Sequence, residues 1–113
     1  MTLSTHVLDT SIGRPAAGVR VRLLQRVATT GEWVDVAEGT TDSDGRIAAW
    51  TPGDRELKAG TYRLTFAVSA YFAARGVDTF YTDIAVEFLA RDESHYHVPL
   101  LVSPFAYSTY RGS

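Results

Sequence analysis

His95-Tyr96-His97-Val98-Pro99-Leu100-Leu101-Val102-Ser103-Pro104, followed by Phe105-Ala106-Tyr107-Ser108-Thr109-Tyr110-Arg111-Gly112-Ser113, is the stretch whose reading decides the fold. Side chains alternate faces along a strand. Tyr96, Val98, Leu100 and Val102 then share one face, which reads as core. His95, His97, Pro99 and Leu101 share the other, and a core would not choose its two imidazoles. Ser103-Pro104 reads as a tight turn into a last strand. There Ser108, Tyr110 and Gly112 lie on one face, and Tyr107, Thr109 and Arg111 on the other. A chain that stops in a hairpin without a polar tail suggests that its terminus belongs to a site.

Outward from this hairpin the pattern repeats. Leu3 to Asp9 reads as a first strand, with Leu3, Thr5 and Val7 facing one way and Ser4, His6 and Leu8 the other. Ser11 to Gly18 is a loop. Val19 to Val27 alternates, with Val19, Val21, Leu23 and Gln25 inward, and Trp33 to Glu38 returns from a connection at Thr29-Thr30-Gly31-Glu32. Thr41-Asp42-Ser43-Asp44-Gly45-Arg46 is a turn, because Asp bonds its own backbone and Gly takes positive φ. A calcium loop would need a ligand ladder and a closing Glu, which do not follow. Arg46 opens a short strand through Trp50, and Thr51 to Ala59 is a loop around Pro52-Gly53. Gly60 to Val68 is a strand with Tyr62, Leu64, Phe66 and Val68 on one face. A short helix near 69–75 is expected, with Ser69 as its cap and Gly76 as its stop. Phe80 to Phe88 is a further strand, and Ala90 to Ser94 a turn. About eight short strands with turns every 8–12 residues indicate an antiparallel sandwich or barrel.

The 113 residues make one domain, residues 1–113, large enough for a hydrophobic core. A formal net charge of −2, with scattered arginines, offers no footprint for nucleic acid. Cysteine is absent, so disulfides and thiol chemistry are excluded. No apolar run approaches the ~18 residues of a membrane span, and no leader pattern opens the chain. A cytoplasmic protein with no membrane partner is the expectation.

The sequence has three histidines, His6, His95 and His97. Any one alone reads as a solvated surface residue, and His95, beside a turn, keeps that reading. His6 and His97 lie on outward faces of the first and penultimate strands, which are natural neighbours in such sandwiches. With Arg46 they make a set of imidazoles able to take a proton near neutral pH and a guanidinium able to hold a planar carbonyl or anion. That set suits hydrolysis of a small, flat, electron-rich substrate. A three-histidine zinc site is the other chemical reading. No carboxylate that would orient those ligands is evident, and no metal is expected. Nucleophile elbows and phosphate-cradling Gly loops are absent.

These residues resemble the transthyretin-related family, in its 5-hydroxyisourate hydrolase branch, over nearly the whole chain. Leu3-Ser4-Thr5-His6-Val7-Leu8-Asp9-Thr10 with Gly13-Arg14-Pro15-Ala16 is similar to the family's opening signature. Thr41-Asp42 with Asp44-Gly45-Arg46 is similar to its middle, and His95 to Leu101, Ser103-Pro104 and Tyr107 to Ser113 to its end. Tyr110-Arg111-Gly112-Ser113 is the most specific element, since it separates the hydrolases from transthyretin. The hormone carrier has Lys, Glu and Thr where His6, Arg46 and His97 stand. The resemblance implies an all-β, transthyretin-like sandwich of two four-stranded antiparallel sheets with one short helix. It also implies a homotetramer, a dimer of dimers with sites in the channel between dimers. The implied reaction is cofactor-free ring-opening hydrolysis of 5-hydroxyisourate to 2-oxo-4-hydroxy-4-carboxy-5-ureidoimidazoline in urate breakdown. His6, Arg46 and His97 would be catalytic, and Ser108, Tyr110, Arg111, Gly112 and Ser113 would bind substrate. The rival readings are a transthyretin-like carrier using the same channel without chemistry, and an adhesion-type sandwich module.

Overall fold

The computed structural model describes residues 1–48, 50 and 57–113. In chain order the elements are β1 (Thr2–Asp9), β2 (Arg14–Pro15), β3 (Arg20–Arg26), β4 (Trp33–Thr40), β5 (Arg46–Ile47), β6 (Gly60–Phe66), α1 (Val68–Ala73), β7 (Ile84–Ala90), β8 (His95–Ser103) and β9 (Ala106–Thr109). One sheet has the order β4-β3-β6-β7; the other runs β2-β1-β8-β9, with β5 also paired to β1. The transthyretin-like sandwich with one short helix is therefore present. Its second sheet gains a fifth member because both β2 and β5 are two-residue strands laid against β1.

Alternation builds the core. Leu3, Val7, Tyr62, Leu64, Phe66 and Leu100 are fully buried between the sheets. At about 25 cal/mol per Å² of apolar surface removed from water, such side chains contribute roughly 1.5–3 kcal/mol each. Buried hydroxyls find partners: Thr5 donates to the Val98 carbonyl at 2.6 Å, and Thr41 donates to the Ala16 carbonyl at 2.7 Å.

Four local expectations are corrected. β1 and β8 pair in parallel, not antiparallel. Alternation fixes which face a residue takes but says nothing of strand direction. The helix starts at Val68 off an Ala67 N-cap with no side-chain cap, so Ser69 does not cap it. Burial of Val68, Tyr71 and Phe72 sets its position, and Tyr71 donates to buried Asp9 at 2.9 Å. The strand expected from Phe80 begins only at Ile84. The Phe80 amide instead donates to the Pro104 carbonyl at 2.9 Å, and Tyr81 packs edge-on against Phe80 and Tyr107. Of the strand expected to run from Arg46 to Trp50, the described residues form β5 at Arg46–Ile47, and the Trp50 amide still donates to the Leu3 carbonyl of β1 at 2.7 Å. The expected Pro52-Gly53 loop lies outside the described residues.

Candidate active site

The outward face of the five-stranded sheet is a lattice whose rows follow from strand register. Thr2 lies opposite His95, Ser4 opposite His97, His6 opposite Pro99, and Leu8 opposite Leu101. On the other side of β1, His6 is opposite Arg46 and Leu8 opposite Pro15. Across β9, Leu101 faces Ser108, and an isolated bridge joins His97 to Gly112. Side chains directly opposite sit about 4.5–5.5 Å apart at Cβ, and diagonal neighbours roughly 7–8 Å. Arg46, His6 and His97 therefore form one compact group on rigid strands.

Arg46 owes its place to the turn before it. Asp42 accepts hydrogen bonds from the Asp44 amide at 2.8 Å and the Arg46 amide at 3.0 Å. Those amides, led by that of Arg46, hold the Asp42 carboxyl below the usual carboxylate range, with Arg46 and His6 charges adding to the effect. Gly45 takes φ +74°, and the Val7 amide donates to its carbonyl at 2.7 Å. A Cβ there would run into the Val7 carbonyl oxygen, so the backbone approach needs glycine.

His97 is held from three sides. Its Nδ1 is 2.8 Å from the Ser4 hydroxyl, the Gly112 amide donates to its carbonyl at 2.8 Å, and Gly112 comes so close that a Cβ there would run into the ring. Burial pushes the His97 imidazole below its ordinary value, and the charges of Arg46, His6 and His95 push it the same way. The charged form of the ring is thus disfavoured, which suits a proton acceptor. Ser4, Arg46, Ile47, His95, His97 and Ser113 line a cavity of about 230 Å³.

Of the residues expected at the site, the chain brings His6, Arg46, His97, Gly112 and Ser113 together. Ser108 is exposed on β9 in the neighbouring row. Tyr110 and Arg111 line a different cavity, of about 340 Å³, at the edge of the sandwich with Phe88, Asp92 and Tyr96. The Arg111 guanidinium lies 4.4 Å over the Tyr96 ring. The Arg111 guanidinium is held over the buried Tyr96 ring, on the core side of β8, so within one chain it does not join the imidazoles. Two residues that sequence reading left aside complete the cluster. Ser4 bridges the rings of His97 and His95, and Thr2 bonds the far side of His95. Their shared outward parity with His6 was the available signal; the parallel register that puts them beside the histidines was not visible. Among the described residues no three His, Cys, Asp or Glu side chains gather as a metal-ligating group.

A two-sheet β-sandwich carrying two imidazoles and a guanidinium on one outward sheet face defines the class as transthyretin-like, with polar machinery of the kind hydrolases use. Comparison with known proteins narrows this. Residues 3–112 match the HIUase/Transthyretin family, and the chain belongs to it. It is 48% identical to 5-hydroxyisourate hydrolase of Deinococcus radiodurans over 98% of this chain and 95% of that protein. The structure of Klebsiella pneumoniae 5-hydroxyisourate hydrolase superposes with a TM-score of 0.86 at 41% identity, over 100% of both chains. Sea bream transthyretin, solved with thyroxine, superposes with a TM-score of 0.88 at 35% identity, over 97% of this chain and 93% of that one. No helix among the described residues is long and apolar enough to cross a membrane.

Proposed function

We propose that this chain is a hydrolase that opens the ring of 5-hydroxyisourate by His- and Arg-assisted attack of water on a cyclic amide carbonyl. The observation that carries the reading is the grouping of His6, Arg46 and His97 on one rigid sheet face, with Gly112 against the His97 ring. The activity named for the Deinococcus and Klebsiella relatives supports the choice of substrate. In this reading a neutral imidazole, His97 with His6 beside it, takes the proton from water as oxygen attacks. Arg46 holds the polar edge of the substrate and stabilises oxyanion charge as it develops. Gly112 and Ser113 close the near wall, which keeps reactants oriented.

A homotetramer, arranged as a dimer of dimers, is part of the same proposal. Leu8 and Leu101 are register partners, half-buried on the site face, and all four residues of β9 are exposed beside them. An apolar row bordering a polar site on an open face expects a partner, and the exposed Ser108 and Tyr110 would then reach substrate in the assembled channel, with Arg111 anchoring the terminus on Tyr96.

The test is ultraviolet decay of freshly generated 5-hydroxyisourate with pure protein, alongside mass in solution. Turnover well above the spontaneous rate, lost in His97→Ala, is expected; decay at the spontaneous rate overturns the reading. A charged replacement of Leu101 should split tetramers into dimers and abolish turnover together. Fully active dimers would remove the site from the channel.

A further inference from the structure

A second imidazole is wired to His97 through one hydroxyl. The Ser4 Oγ lies 2.8 Å from His97 Nδ1 and 3.0 Å from His95 Nε2, and the Thr2 Oγ1 lies 2.6 Å from His95 Nδ1. Ser4 has one hydroxyl proton, so it donates to only one of the two rings, and the other ring must donate to it. The chain therefore has two polarities. In one, His97 Nδ1 donates to Ser4, Ser4 donates to His95 Nε2, and His95 Nδ1 donates to Thr2. Only this polarity leaves His97 Nε2 as a free lone pair.

We propose that Ser4 and His95 are positioning residues that fix the tautomer of His97 and carry its second proton away as the first arrives. The inference rests on the hydrolytic reading above. As water gives a proton to His97 Nε2 and its oxygen bonds to the substrate carbonyl, the His97 Nδ1 proton passes to Ser4 Oγ. The Ser4 hydroxyl proton passes to His95 Nε2, and His95, with Nδ1–H held by Thr2, becomes the imidazolium. One proton leaves water and one arrives on His95; it returns along the same path to the departing ring nitrogen. The physical reason for the detour is charge. His97 is half-buried beside Arg46 and His6, where a cation is disfavoured, whereas His95 stands exposed at the end of the relay.

The test combines long-range ¹⁵N spectra of the histidines with kinetics in mixed light and heavy water. Wild-type neutral His97 should be protonated at Nδ1, and its solvent proton inventory should be curved, with more than one proton moving in the slow step. Ser4→Ala should mix the His97 tautomers, straighten the inventory and lower kcat about 100-fold with KM little changed; Ser4→Thr, which keeps the hydroxyl, should recover most of the loss. A wild-type His97 protonated at Nε2, or a Ser4→Ala enzyme with wild-type kcat and inventory, overturns the proposal. If Ser4→Ala does not fold, the wild-type tautomer and inventory decide alone. The tautomer needs no substrate: the expected tautomer without turnover defeats the hydrolase reading and leaves the positioning intact, whereas turnover indifferent to Ser4 does the reverse.

Discussion

Gly112→Ala is the sharpest probe of how the chain's end serves the site. The residue is in a bridge with His97, and its φ lies outside the left-handed region, so alanine adds no backbone strain there. What alanine adds is a methyl group on the imidazole. Its Cβ would sit 3.2 Å from His97 Cγ and 3.3 Å from His97 Cβ, and closer still to Cδ2. Carbon atoms prefer about 3.5–4.0 Å, so ring and strand must part by roughly 1 Å. A misplacement of that size costs about 100-fold in rate. Turning the ring off its rotamer instead costs about 0.5–1.5 kcal/mol. The core is untouched, and the loss of glycine freedom in the unfolded chain contributes about 0.4–1 kcal/mol in the opposite direction. The expected result is a roughly 100-fold fall in kcat/KM, with thermal midpoint and mass in solution nearly unchanged. Steady-state decay of 5-hydroxyisourate and a thermal melt measure both. An alanine variant with wild-type kcat/KM would mean that the terminus does not press on His97 in a way the reaction feels.

Three further outcomes are expected. His97 should titrate below the ordinary histidine value of about 6.5, so the acid limb of kcat/KM should lie below it too; Arg46→Gln, followed by NMR titration, should raise the His97 value. Because the unfolded chain takes up this proton first as pH falls, His97's contribution to stability is complete above about 6.5 and declines between there and the lower folded value. Denaturant unfolding across that window checks the sign. Gly45→Ala combines φ +74° with contacts of 3.1 Å to Pro15 Cβ and 3.2 Å to the Ala16 amide. It should cost at least about 2 kcal/mol and lower the melting point accordingly. Activity should survive strong chelation, since both ring nitrogens of His95 and the Nδ1 of His97 are already engaged by Thr2 and Ser4. Loss restored by zinc would reverse that expectation.

Parity was legible in the sequence and register was not. Period-two alternation placed Leu3, Thr5 and Val7 inward and Ser4, His6 and Leu8 outward, and burial follows that pattern along β1. The turn at Asp42 to Gly45 was also legible, because Asp and Gly carry their conformations locally. The row positions were hidden. They depend on β1 running parallel to β8, a pairing of residues more than ninety positions apart, with no local signature. That is why His6 and His97 could be grouped by face while Ser4, directly across from His97, went unnoticed. The helix start and the late start of β7 failed for a related reason. Ser69 and Phe80 have local preferences that contacts from distant residues, Thr82 on the first and Pro104 on the second, override.

The fold alone cannot separate hydrolase from carrier, and the superpositions make this concrete. Sea bream transthyretin, solved with thyroxine, superposes with a TM-score of 0.88 and the Klebsiella hydrolase with 0.86. A backbone match of this kind says where side chains can stand, not what they do. The distinction rests on the outward rows: a ring whose charged form is disfavoured by burial and by the Arg46 guanidinium, a guanidinium fixed by an Asp-anchored turn, and a glycine where a Cβ would strike an imidazole. A pocket that only binds has no need of a base whose proton affinity is lowered. It gains nothing from a hydroxyl that fixes a ring tautomer. Substituting His6, Arg46 and His97 singly by Gln, Lys and Gln should therefore leave the melting point nearly in place and remove turnover in each case. If all three variants kept full turnover, the outward rows would be packing, and the chemistry would have to lie elsewhere on the chain.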